Sequence, residues 1–131
     1  GSTIDREADI HLYMEAGVEI GVASTKAYTS TLAVVNLFSV YLARLRGTIT
    51  ASQESHYVQN MLALPSQMEA VLAHDKFFSE ASTAFKDYKG FLYLGRGTSY
   101  PIAMEGALKL KELAYMHAEG YAAGEMKHGP L

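Results

Sequence analysis

The stretch "GFLYLGRGTSYPIA" (Gly90–Ala103) limits this chain more than any other. A short apolar run ends in Gly-x-Gly and gives way at once to a helix start with Pro101 in its first turn. Strand, glycine turn, helix is the order of a parallel α/β layer. A parallel sheet is covered on both faces and needs neighbours at its edges. Along the remaining chain one further run, Ala8–Met14, carries the period of two that marks a strand, with Ile10, Leu12 and Met14 alternating against His11 and Tyr13. Two strands among several helices are too few for a closed layer, so the pattern reads as a piece of a larger α/β protein.

The rest of the chain reads as helix. After the glycine-bearing loop "EAGVEIGVAST", Ser24 and Thr25 are candidate caps for a long helix from about Lys26 to Arg46, stopped by Gly47. Thr50 with Gln53 predicts a capping box. Val58, Met61 and Leu62 continue an apolar stripe that Pro65 is expected to kink or break, and the stripe resumes through Met68, Val71 and Leu72. Phe77, Ala81, Ala84, Phe85 and Tyr88 recur at helical spacing, and a further helix runs from Pro101 to about Met116.

Composition excludes several function classes. The chain has 131 residues, 49% of them hydrophobic, which is enough apolar matter for a core. Lys and Arg number 11 against 14 Asp and Glu, for a net charge of −3, with no basic cluster to suit nucleic acid. The absence of cysteine removes disulfides, thiolate metal sites and a cysteine nucleophile, and fits a cytoplasmic protein. The opening "GSTIDREAD" lacks the apolar core of a signal peptide. The longest uncharged run, Ala27 to Ala43, is broken by Thr29, Ser30, Thr31, Asn36 and Ser39, and is shorter than a membrane span.

Three constellations carry possible chemistry. On the helix after Pro101, Glu105, Lys109 and Glu112 fall on one stripe at i, i+4 and i+7. They read either as a solvated face with ordinary Glu–Lys pairing or as a tuned base, Glu112, beside a cation, Lys109. The tail "HAEGYAAGEMKHGPL" is polar and punctuated by Gly120, Gly124, Gly129 and Pro130. It is either a surface segment or a place where His128 and backbone approach a ligand. Glu125-x-x-His128 has half the spacing of a carboxylate-bridged metal site but lacks its second copy, so no metal is assigned. "GRGTSY" is either a tight turn or a phosphate cradle using Thr98 and Ser99.

Taken together, "EIGVASTKAYT", "EGALKLKE" and "GEMKHGPL", with the helices between them, closely resemble the isomerase half of the glutamine:fructose-6-phosphate aminotransferases, the glucosamine-6-phosphate synthases. That half is built from two sugar isomerase (SIS) subdomains of three-layer α/β/α architecture. The resemblance implies that residues 1–47 close the first subdomain, 48–75 are connecting helices, and 76–131 open the second. It implies Glu112 as the base that moves a proton between C1 and C2 of the sugar, with Lys109 near the reacting carbons. It also implies His128 as the ring-opening group given across a dimer interface, and Val22 (through its backbone) and Ser24 as contacts to sugar hydroxyls. The implied ligands are fructose 6-phosphate and glucosamine 6-phosphate, with no cofactor, no nucleic acid and no membrane.

The family's phosphate loop would lie upstream of Gly1 and its Schiff-base lysine downstream of Leu131; the glutaminase domain is absent. "GRGTSY" falls in the second subdomain, where the family does not hold phosphate, and so reads as a turn. A non-catalytic SIS module that binds a sugar phosphate, and a ligand-free helical interaction module, are the competing expectations.

Overall fold

The computed structural model describes residues 1–129. Pro130, one of the tail positions singled out above, lies outside them. The elements in chain order are α1 (Thr3–Glu7), α2 (Lys26–Leu45), α3 (Ala51–Leu72), α4 (Asp75–Phe85), β1 (Gly90–Gly95), α5 (Ser99–Ala114), β2 (His117–Ala122) and a 3-10 helix (Ala123–His128). They divide into two compact units, one of Gly1–Ile20 with Ser24–His74, the other of Gly21–Ala23 with the chain from Asp75 onward.

The first unit is helical. Helix α2 ends as its sequence predicts: Gly47 takes a φ of +66°, Thr48 N–H donates to Ala43 C=O at 2.9 Å, and Gly47 N–H donates to Arg44 C=O at 3.1 Å. This double bond pattern satisfies carbonyls that the helix would otherwise leave open. Helix α3 then starts with the expected capping box. Gln53 N–H donates to Thr50 Oγ1 at 3.2 Å, and Thr50 N–H donates to Gln53 Oε1 at 2.9 Å. Arg44 Nε donates to Glu54 Oε2 at 2.7 Å, joining the end of α2 to the start of α3.

Of the two outcomes expected at Pro65, the break does not occur: α3 runs through it for 22 residues. The proline removes one donor to the carbonyl four residues earlier, and the bonds on either side carry the helix past that single gap. Residues Ala8–Met14 are also not a strand. A strand exists only through a ladder with a partner, and among the described residues this segment has none. Its polar groups bond locally instead: His11 Nε2 lies 2.9 Å from Ala8 O, and Tyr13 OH donates to Asp5 Oδ1 at 2.7 Å.

The second unit is built on β1, α5 and β2. The strands pair in parallel, from Gly90 opposite His117 to Gly95 opposite Ala122, with α5 as the connection. The second strand is therefore the first part of the tail, His117–Ala122, which its glycine and charged residues disguise. Close packing explains the composition. Ala103 and Ala107, one helical turn apart, are the buried residues of α5, and Ala118 of β2 is fully buried. A Cβ on Gly120 would stand 2.7 Å from Met104 Cα, and one on Gly95 would collide with the Ser99 carbonyl. Small residues let helix and strands approach to backbone distance. Phe91 on β1 meets Phe85 edge-on at a ring-centroid distance of 6.2 Å and Tyr88 at a tilt at 6.4 Å.

Candidate active site

Helix α5 presents the central constellation. Its alanine face turns to the strands, which leaves Glu105, Lys109 and Glu112 on a half-buried flank. Lys109 Nζ donates to Glu112 Oε2 at 2.8 Å and lies 3.1 Å from Glu105 Oε1. The side chains of Lys109, Glu105 and Glu112 are 22%, 21% and 34% exposed, so this is neither a fully solvated pairing nor a sealed one. The hydrogen bond to Glu112, helped by Glu105, raises the Lys109 ammonium above its ordinary range against a smaller opposing effect of burial.

That shift decides what Lys109 can do. A lysine that attacks a carbonyl needs its pKa lowered so that free amine is present. Lys109 is shifted the other way, toward the charged ammonium. That ammonium stands between two carboxylates, 2.8 Å from Glu112 and 3.1 Å from Glu105.

The remaining expected residues fall elsewhere. His128 ends the 3-10 helix and is exposed, as is Glu125. Val22 is 98% exposed, and Ser24 is exposed just before α2. Thr98 stands at the start of α5 without a side-chain capping bond, so "GRGTSY" behaves as a turn with Gly97 at a φ of +56°. Among the described residues no group of three or more His, Asp or Glu side chains could hold a metal ion, and no helix is long and apolar enough to cross a membrane.

Two features escape a reading by motif. Glu119 on β2 accepts a short hydrogen bond from Tyr121 OH, which raises the phenol's pKa. The alternation of Glu119 and Tyr121 on one strand face was the available signal, hidden by reading the segment as a tail. Glu19 accepts from Ala27 N–H at 3.0 Å and from Thr25 Oγ1 at 2.8 Å. Thr25 occupies the N-cap position of α2 but makes no side-chain cap; a carboxylate from six residues upstream does it instead.

A parallel βαβ unit with small residues at the helix–strand contact, and a polar flank on the crossover helix, place the second unit in the α/β class. The SIS domain family profile matches residues 1–41 and 85–131, and the chain belongs to that family. Among its relatives are the glutamine–fructose-6-phosphate aminotransferases (isomerizing) of Haemophilus ducreyi, 52% identical over 130 residues, and of Escherichia coli K12, 53% identical over 131. The chain spans about a fifth of their length, 21% in each case.

Solved structures agree with the sequence relatives. The C-terminal domain of glucosamine-fructose-6-phosphate aminotransferase from Francisella tularensis superposes with a TM-score of 0.96 at 44% identity, over 98% of this chain and 36% of that one. A candidate phosphosugar isomerase from Clostridium difficile 630 gives 0.87 at 28% identity, over 98% of this chain and 37% of that one. The expected resemblance and the α/β SIS fold, mostly helical with two parallel strands, are both borne out.

Proposed function

We propose that this chain is the middle of the isomerase domain of an enzyme that makes glucosamine 6-phosphate from fructose 6-phosphate and glutamine-derived ammonia. The observation that carries this is the Lys109–Glu112 pair on α5, 2.8 Å apart, in a SIS chain 52–53% identical to such aminotransferases. The two separate stretches of SIS match, on either side of the α3 region, support residues 1–47 and 76–131 as parts of successive subdomains joined by the helices of 48–75.

In this reading Glu112 takes the proton from one sugar carbon and returns it to the next, the step that converts a ketose-derived amine into an aldose. Lys109 places positive charge beside that carboxylate and near the developing enolamine. His128 opens the sugar ring, contributed to the neighbour's site in a homodimer. Val22, through its backbone, and Ser24 bond the sugar hydroxyls. The covalent amine that holds the carbonyl is a lysine outside these residues, consistent with the raised pKa of Lys109. The enzyme works in the cytoplasm.

The test is Glu112→Gln in the full-length gene product. A glutamine of the same shape cannot accept the proton, and loss of a general base lowers kcat by roughly 10²–10⁴-fold. Unchanged turnover would overturn the assignment. Retained binding of fructose 6-phosphate, with no synthesis by the unmodified protein either, would make this a sugar-phosphate sensor instead.

A further inference from the structure

The connection before α2 contains an arrangement that the catalytic reading leaves unused. Glu19 precedes the loop residues 20–24, and Thr25 and Ala27 follow them. The two oxygens of one carboxylate reach across that loop: Oε1 accepts from the Thr25 hydroxyl at 2.8 Å, and Oε2 accepts from the Ala27 N–H at 3.0 Å. Ala27 is the second residue of α2, so its N–H is one of those the helix leaves without an internal partner. A negative charge is also favoured there by the helix dipole.

At Ile20 and Val22 the loop has little else to hold it. Val22 is 98% exposed and Ile20 95% exposed, so packing does not fix their backbone. Ala23 is the buried residue of the stretch, at 3%. A five-residue excursion that contains a glycine, Gly21, would sample many conformations unless its ends were tied. The Glu19 carboxylate ties them.

We propose that Glu19 is a positioning residue for sugar binding: by bridging both ends of the loop it holds the Ser24 hydroxyl in the geometry that receives a substrate hydroxyl. This rests on the proposed role of Ser24 as a sugar contact. Glu19 touches no substrate and acts through the loop. The same two hydrogen bonds, with Lys26 nearby, hold its carboxyl below the usual carboxylate range, so the bridge is charged at neutral pH. Glutamine can preserve the geometry, its oxygen taking the Ala27 proton and its NH2 donating to a turned Thr25 hydroxyl.

The test is steady-state kinetics of the full-length gene product with fructose 6-phosphate, using Glu19→Ala, Glu19→Gln, Ser24→Ala and the Glu19→Ala/Ser24→Ala double variant. Glu19→Ala should raise KM roughly tenfold with kcat within about twofold, the signature of lost binding common to ground and transition states. Glu19→Gln should recover most of that loss. The double variant should raise KM by clearly less than the product of the single effects, because both act on one contact.

An unchanged KM in Glu19→Ala beside a raised KM in Ser24→Ala overturns the positioning role and leaves the sugar contact standing. Independent, multiplying effects overturn it as well. A Glu19→Gln variant as impaired as Glu19→Ala replaces the bridge with a purely electrostatic role. An unchanged KM in Ser24→Ala removes the sugar contact and this inference with it. Should Glu19→Ala not fold, Thr25→Val removes one arm of the bridge alone and should raise KM by about half as many powers of ten, under the same criteria.

Discussion

Lys109 shares one ammonium between Glu105 and Glu112, and the consequences can be read at single residues. Replacing it by methionine keeps the stem and deletes the charge, leaving two carboxylates side by side on a half-buried flank. In the full-length gene product, Lys109→Met should lower kcat by roughly 10²-fold, because the cation placed near the developing enolamine is gone. An unchanged kcat would separate Lys109 from the chemistry. Alkaline stability follows from the same pair. The Lys109 pKa is raised, so its contribution is fully present below the ordinary lysine value of 10.5 and is lost as pH rises through the elevated one. The melting-temperature difference between the unmodified protein and Lys109→Met should therefore shrink between about pH 10 and 12. The stripe of Glu105, Lys109 and Glu112 was legible because i, i+3 and i+4 neighbours meet on any helix. Glu19 was not legible, since nothing local says that a carboxylate will reach over five residues to cap a helix.

At the scale of elements, the predictable parts are those whose hydrogen bonds are local. The Thr50–Gln53 box and the Gly47 stop form where the sequence places them. Thr50→Ala should cost about 1 kcal/mol of stability, measured by denaturant titration, since the Gln53 N–H loses its hydroxyl acceptor while the main-chain Thr50 N–H keeps its bond to Gln53. The βαβ contact offers a sharper test. Gly120→Ala would set a methyl 2.7 Å from Met104 Cα and 2.8 Å from its nitrogen, where backbone rather than a flexible side chain must move. The expected loss is about 1–3 kcal/mol, seen as a lowered denaturation midpoint; an unshifted midpoint would mean that α5 and β2 are farther apart than described. Nothing in the neighbouring sequence announces that contact. Gly120 reads equally well as a flexible tail residue until Met104, sixteen positions earlier, is brought against it.

For the whole molecule the dominant fact is unburied apolar surface. The buried hydrophobic residues among those described are Ala23, Ala103, Ala107 and Ala118, while Ile10, Leu12, Leu37, Phe38 and Tyr41 are 46–83% exposed in the first unit. Ile10, Leu12, Tyr13, Val34, Leu37, Phe38 and Tyr41 line an apolar cavity of about 480 Å³ in that unit. The two-stranded sheet of the second unit has no further strand paired to it among the described residues. Surfaces and edges of this kind drive association. The isolated 131-residue chain should self-associate in analytical ultracentrifugation, and a monodisperse monomer would contradict this. It should also show no glucosamine 6-phosphate synthesis by itself, because the proposed chemistry needs a covalent lysine amine that the proposed function places outside these residues; measurable turnover would overturn that division of labour.

By itself the sequence determined the longer helices, the Thr50–Gln53 box, the Gly47 stop and the charged stripe of α5, because each depends on residues within a turn or two of one another. It also determined the family, through motifs long enough to be specific. Tertiary structure alone decided which extended segments become strands. Ala8–Met14 alternates well and pairs with nothing described, whereas His117–Ala122 alternates poorly and pairs along its whole length with β1. A strand is a property of two segments, and its hydrogen-bond partner lies too far along the chain for local pattern to name.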